Sequence, residues 1–237
     1  MTQARDIRLA ALPVLAIAAI GWWITADRMQ GMDMGPGTDL GSLGWFTGVW
    51  VTMMPAMMLP SLAPKATVPF AAGFLAPWLA AGVVAYVLVQ GVRSLDPAFL
   101  AWDEGGRYIA GGVIAVAAAW ELTPAKHACL RHCREARVPE ISASREVRDG
   151  VVEGAFCIGC CWALMAALFA LGVMSVTWMV VIAALIAIEK LWPSERLAEG
   201  ATVVVLLALA IGVAFFPGQL PGLTVPMSEP MSMTMAM

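Results

Sequence analysis

Gly150-Val-Val-Glu153-Gly-Ala-Phe-Cys157-Ile-Gly-Cys160-Cys161-Trp-Ala-Leu-Met165-Ala-Ala-Leu-Phe-Ala-Leu-Gly-Val173 is an apolar run in which Glu153 is the only charge. It exceeds the roughly 20 residues that carry a helix across the hydrocarbon of a bilayer. It lacks the two-residue alternation of barrel strands, and backbone groups in lipid must bond within their own segment, so it reads as a transmembrane helix. Similar runs recur on both sides. Spans are expected at Arg8–Thr25, Leu43–Ala63, Val68–Gly91, Arg107–Thr123, Gly150–Val173, Val176–Leu191 and Leu197–Phe216. The expected fold is all-α, a polytopic membrane helix bundle of about seven transmembrane helices plus a short cytosolic helix. It forms a single integral membrane domain over residues 1–237. A Met-rich outside loop (about 26–42), a basic cytosolic loop (about 124–149) and a Met-rich outside tail (about 217–237) complete it.

Composition agrees. Apolar residues are 60% of the chain and charged residues 13%, with a mean hydropathy of +0.80. A soluble domain holds about 45–50% and about 25% respectively, so this chain would expose too much apolar surface to water. The first span is expected to stay as an anchor, because no small-residue cleavage site of the A-x-A kind follows it. Basic residues set the orientation. With the N-terminus in the cytosol, only Arg28, Arg93 and Arg107 of the 14 basic residues fall outside. The expected location is the cell inner membrane, multi-pass, with the N-terminus cytosolic and the C-terminus periplasmic. The lipid bilayer is then the main partner. The basic run from Lys126 to Arg148 has no interleaved aromatics, so it reads as a topology signal or a surface for anionic lipid, with no nucleic acid partner.

The cysteines fall in two groups, Cys129 with Cys133 and Cys157 with Cys160 and Cys161, all toward the cytosolic side. Thiols are kept reduced there, which disfavours structural disulfides. Thr123 as N-cap and Pro124 at the first helical position mark a fresh helix start after the fourth span. That helix carries Cys129, His132 and Cys133 at i, i+3 and i+4, on one face. Cys157, Cys160 and Cys161 repeat the spacing, with Glu153 one turn before them. If Pro124 turns the short helix back under the bundle, the two thiol faces can form one site; otherwise they are two. Glu121, Glu153 and Glu189 lie at one depth on three successive spans and are expected to converge, because ionisable groups in a membrane face the bundle interior or a partner. Methionine is also abundant, at 16 residues. Met53, Met54, Met57 and Met58 share the second span with Pro55 and Pro60, Met29, Met32 and Met34 lie in the first outside loop, and five more lie in the tail from Met227 to Met237. Thioethers and thiolates are soft donors that select Cu(I), and thiolates also accept zinc and iron–sulfur clusters.

Each pattern has a plainer reading. Methionine fills gaps in packed helices, as Met165, Met174 and Met179 are expected to do, and cysteine packs as a small hydrophobe. The tail can be a low-complexity end. The glutamates can be boundary residues paired with Lys190 or Arg148. His127 faces away from Cys129 and Cys133 and reads as solvated. Clustering at helical spacing is what separates the cysteines from mere packing. The chain has no nucleotide-binding glycine loop, no nucleophile elbow and no H-E-x-x-H, so no catalytic and no organic-cofactor residues are assigned, and a binding role is expected rather than an enzymatic one.

Three stretches carry a family resemblance. They are Trp50-Val-Thr-Met-Met-Pro-Ala-Met-Met-Leu-Pro60, then Trp120-Glu-Leu-Thr-Pro-Ala-Lys-His-Ala-Cys-Leu-Arg-His-Cys133, then Gly154-Ala-Phe-Cys-Ile-Gly-Cys-Cys-Trp-Ala-Leu-Met165, with Glu189-Lys190 beyond. Over most of residues 45–195 the chain resembles a bacterial family of predicted metal-binding integral membrane proteins. The resemblance implies membrane location and metal binding, with Met53, Met54, Met57, Met58, Cys129, Cys133, Cys157, Cys160, Cys161 and Glu189 at the matching positions.

The expected function is soft-metal binding, with copper as Cu(I) favoured over zinc or iron–sulfur, acting in copper uptake, handover or metallocentre assembly. The expected metal residues are Cys129, Cys133, Cys157, Cys160, Cys161, His132, Met53, Met54, Met57, Met58, Glu153 and Glu189. Expected partners are a metal donor, a metalloprotein or a larger membrane complex. Two rival readings are a membrane thiol–disulfide oxidoreductase built on Cys157-Ile-Gly-Cys160, and a non-metal accessory subunit of a larger membrane complex.

Overall fold

The computed structural model describes residues 2–29, 40–62, 67–94, 105–135, 142–173 and 175–220, with side chains from residue 12 onward. Met32, Met34, Lys65, Arg137, Met174 and the tail methionines from Met227 to Met237 lie outside the described residues. The described residues form eight α-helices and no strand: α1 (Thr2–Met29), α2 (Leu43–Leu62), α3 (Val68–Ser94), α4 (Arg107–Glu121), α5 (Pro124–Glu135), α6 (Ala143–Leu171), α7 (Val176–Leu191) and α8 (Glu195–Phe215). A 3-10 turn at Pro217–Gln219 follows. The all-α class expected from the sequence is what folds.

By length and composition, the helices carrying Leu12–Met29, Val68–Ser94, Ala143–Leu171 and Glu195–Phe215 can cross a membrane, and α4 with α5 passes as one pair bent by 67°. At 20, 15 and 16 residues, α2, α4 and α7 do not pass by themselves. Helix length and composition thus give four candidate spans, or five with the bent pair.

α6 begins at Ala143, about two turns before the Gly150 expected from hydropathy. Four of residues 143–149 are charged (Arg145, Glu146, Arg148 and Asp149), which hides the segment from an apolar count, yet its Glu and Arg are good helix formers. Two backbone bonds of 3.0 Å, from the N–H groups of Arg145 and Glu146 to the Ser142 carbonyl, start the helix. Thr67 then donates to the Glu146 carboxylate at 2.6 Å, tying the start of α6 to the start of α3. Cys157 therefore lies near the middle of a 29-residue helix, about 21 Å from its first residue at 1.5 Å per residue.

α3 and α6 run parallel at close approach. A Cβ on Gly150 would overlap the Phe70 carbonyl, and one on Gly154 would overlap the Phe74 carbonyl. α1 and α2 run antiparallel, joined by the Thr25–Thr52 hydroxyl pair at 3.3 Å. α4 and α8 do the same, with Tyr108 on Phe215 at 6.2 Å. At the far end of the bundle Trp50 donates to the Trp78 carbonyl at 2.8 Å. Phe169 of α6 packs there on the rings of Trp50 and Phe46, at 5.9 and 6.3 Å. The near end gathers α4, α5, α6, α7 and the start of α8.

Candidate metal centre

The near end is organised by α5. The chain leaves α4 through Leu122 and Thr123, and Thr123 caps the new helix, its hydroxyl accepting from the Lys126 N–H at 3.3 Å and donating to the Trp120 carbonyl at 2.7 Å. Pro124 takes the first helical position, where its missing N–H costs nothing. The resulting helix is amphipathic, and its buried face is Lys126, Leu130 and Cys133. A buried lysine needs counter-charges. Lys126, 1% exposed, has two, forming ion pairs with Glu121 of α4 and, at 2.8 Å, with Glu189 of α7. Burial pulls this ammonium down, but Glu189 and Glu121 outweigh it and hold Lys126 above the usual lysine range. The other end of α5 is tied by Arg134, which donates to the carbonyls of Glu189 at 2.7 Å and Trp192 at 2.5 Å. Ion pairs clamp α5 across the bundle end, and their geometry sets where Cys133 can reach.

That reach brings Cys133 into the α6 thiol group. The sulfurs of Cys157, Cys160 and Cys161 all lie within 4.8 Å of one another. Cys133 Sγ is 3.9 Å from Cys160 Sγ, and Cys160 Sγ is 3.3 Å from Cys161 Sγ. The three α6 cysteines are 0–1% exposed and Cys133 is 7% exposed. All five cysteines are free thiols. Lys190 of α7 reaches in from the side, its Nζ 3.0 Å from Cys157 Sγ and 5.9 Å from the ring of Phe74 on α3. Four helices, α3, α5, α6 and α7, enclose the group.

The remaining expected ligands distribute differently. Cys129 is half-buried against α6, where a Cβ on Gly159 would come 2.8 Å from its sulfur. His132 turns from the thiols, its ring stacked on Phe156 at 3.8 Å and its Nε2 3.6 Å from Glu153. The three glutamates do not share one site. Glu121 and Glu189 meet at Lys126, while Glu153 pairs with His132 and also lies beside Cys133 and Lys190 at the thiol group. Equal depth did not imply equal azimuth. His127, read as solvated, pairs with Glu199 at 2.9 Å. Met53, Met54, Met57 and Met58 are all buried on α2, which packs on α1, α3 and α7. Met54 also lines a shallow apolar groove with Trp50 and Leu75. Two residues that the sequence reading placed among topology charges, Lys126 and Lys190, stand at the centre of the polar structure. The helical spacing of Lys126, Leu130 and Cys133 was the available signal for the first.

Four buried thiols from two helices form a soft donor set. With metal–sulfur bonds of about 2.3 Å, two sulfurs on one ion lie about 3.8–4.6 Å apart between tetrahedral and linear geometry. The 3.9 Å between Cys133 and Cys160 falls in that window, and the 3.3 Å between Cys160 and Cys161 lies just below it. Lys190 has the Glu153 carboxylate in range, and because an ammonium buried against neutral thiols has poor partners, a thiolate or metal-bound thiolate would satisfy it further. No curated protein and no solved structure matches the chain. One family model does, described as PpoB2, copper chaperone, over residues 47–213, which is more than half of the sequence and includes every residue of the thiol group.

Proposed function

The chain belongs to the PpoB2 copper chaperone family, and from that membership we propose that it is a multi-pass inner-membrane protein that binds Cu(I) at Cys133, Cys157, Cys160 and Cys161 for handover to a metalloprotein. The observation that carries this reading is the meeting of two helices' thiols, with Cys133 of α5 3.9 Å from Cys160 of α6. Thiolates are the donors that favour Cu(I) among the metals of the cell. The buried position protects the ion from water and oxidation, while α5, at the end of the bundle, is the element through which it leaves. Half-buried Cys129 is the first thiol outside the group and the natural next ligand. The methionines of α2 and of the outside loop and tail serve as softer, weaker ligands on the far side. Copper enters there as cargo.

The membrane placement rests on outward-facing side chains. Trp23, Leu88, Val116, Leu197, Val204 and Phe215 are each 60–71% exposed on α1, α3, α4 and α8, a belt suited to lipid and costly in water. Seven spans, with α2, α4 and α7 shorter and packed among the others, keep the N-terminus in the cytosol and the thiol end on the cytosolic side. A thiol–disulfide oxidoreductase is the weaker reading. Exchange requires an attacking thiolate to reach a disulfide sulfur, and Cys157 and Cys160 are both 0% exposed.

Copper content of the purified full-length protein tests the proposal. Wild type loaded with Cu(I) under reducing conditions is expected to retain stoichiometric copper through gel filtration. The variant with Cys133, Cys157, Cys160 and Cys161 all changed to Ser is expected to lose it. Equal copper in both would remove the thiol site.

A further inference from the structure

The Glu121–Lys126–Glu189 group closes the bundle end but leaves two of its own atoms without partners. Lys126 Nζ donates to Oε2 of each carboxyl, while Oε1 of Glu121 and Oε1 of Glu189 are buried with no hydrogen-bond partner. All three side chains are 1–2% exposed. The two carboxyl groups also lie within hydrogen-bonding range of each other. Carboxylates only accept, so a bond between two of them needs a proton on one. The charge count agrees. Two carboxylates and one ammonium leave −1 where water does not reach, which is costly unless it is neutralised. The charges on the neighbouring helices are directed elsewhere. His127 of α5 turns to Glu199 of α8. Arg134 of α5 donates to the Glu189 carbonyl, and its charge is met by Glu195 of α8. Lys190 of α7 turns to Cys157, and Glu153 of α6 lies beside His132, Cys133 and Lys190.

We propose that the Glu121–Lys126–Glu189 group is a proton-binding site, in which one proton shared by the two carboxyl groups makes the group neutral and lets α5 dock. The site is separate from the thiols and needs no metal. With α5 docked, loss of the proton to solvent leaves a buried −1 between α4, α5 and α7. With α5 undocked, water solvates the same charge. Docking therefore favours the protonated group and weakens as pH rises through loss of the proton. Lys126 is held above the usual lysine range, so its own charge persists while the shared proton leaves. Cys133 lies on the same buried face of α5 as Lys126, so loosening this end of the helix uncovers a thiol.

Infrared spectroscopy of the metal-free, full-length protein in detergent tests the proposal, because a protonated carboxyl has a carbonyl stretch well apart from the carboxylate bands. Wild type at neutral pH is expected to show a band that is lost in Glu121→Gln and equally in Glu189→Gln, since either amide leaves one carboxylate to one ammonium. Glu153→Gln should leave that band in place. Absence of the band from wild type, its survival in either amide variant, or its loss in Glu153→Gln overturns the proposal. Replacing potassium by sodium at fixed pH should not change the band; its loss in sodium would make the group a metal-cation site and overturns the proton as its ligand. Docking is read by maleimide labelling of Cys133 on a Cys129→Ser background, as the rate without further change divided by the rate in Glu189→Gln at the same pH, so that thiol ionisation cancels. From neutral to alkaline pH this ratio is expected to rise at least about tenfold. A flat ratio overturns the coupling to α5.

Discussion

Lys126→Met removes the ammonium that joins α4, α5 and α7 while keeping a side chain of similar length. The three partners are 1–2% exposed, so water cannot replace the lost cation, and Glu121 and Glu189 face each other unneutralised. Breaking a buried ion pair from one side costs about 3–5 kcal/mol. The loss should fall on α5, whose other ion pairs, to Glu199, Glu195 and Glu153, each include a more exposed group and are worth about 0–1 kcal/mol each, leaving the Arg134 bonds to the Glu189 and Trp192 carbonyls to hold its far end. Two readouts follow. Thermal unfolding in detergent should drop well below wild type, and Cys133, 7% exposed in the native chain, should become reactive to a maleimide. The triple variant Lys126→Met, Glu121→Gln, Glu189→Gln should recover much of the stability, because no uncompensated charge remains. The raised Lys126 pKa means that its contribution is fully present below the ordinary lysine value and is lost only as pH climbs past the higher folded value. Wild-type stability should thus show no loss from this group across the neutral range. Wild-type melting and a protected Cys133 in Lys126→Met would refute the clamp.

A reporter active only in the cytosol should work when fused at Met1 and fail after Met237; activity at both ends would require an even number of spans. Gly154→Leu should destabilise the α3–α6 contact by about 1–3 kcal/mol or block folding, since a Cβ there already overlaps the Phe74 carbonyl, and a wild-type melt would mean that the helices can part cheaply. Cys133→Ser should weaken Cu(I) binding at least tenfold in chelator competition, whereas His132→Ala, whose ring lies on Phe156 and beside Glu153, should leave it within about threefold; a single ligand of an ion is commonly worth more than the roughly 1.4 kcal/mol that a factor of ten represents. The reverse ranking would place the site on the wrong face of α5.

Local signals were legible and azimuthal ones were not. Thr123 and Pro124 announced a helix start from capping chemistry alone, and the 67° bend follows from it. The i, i+3, i+4 spacing of the cysteines put them on common faces, and the structure joins those faces through Cys133 and Cys160. The sequence does not encode rotation of one helix about another in any local pattern. That is why Glu153 was grouped with Glu121 and Glu189 but faces His132, and why Lys126 and Lys190 looked like boundary charges. The start of α6 was missed for a different reason. Hydropathy counts apolar residues, and Arg145, Glu146 and Arg148 are charged although they favour a helix. The expected spans at α2 and α7 rested on apolar sequence, and helix length and composition do not pick those helices out as spans.

Copper K-edge X-ray absorption of the Cu(I)-loaded wild-type protein tests the central claim most directly. The account predicts a first shell of sulfur alone at about 2.2–2.3 Å, with two or three scatterers and no nitrogen or oxygen. A shell of nitrogen or oxygen donors, or an unchanged sulfur shell when Cys133, Cys157, Cys160 and Cys161 are all replaced by Ser, would contradict it.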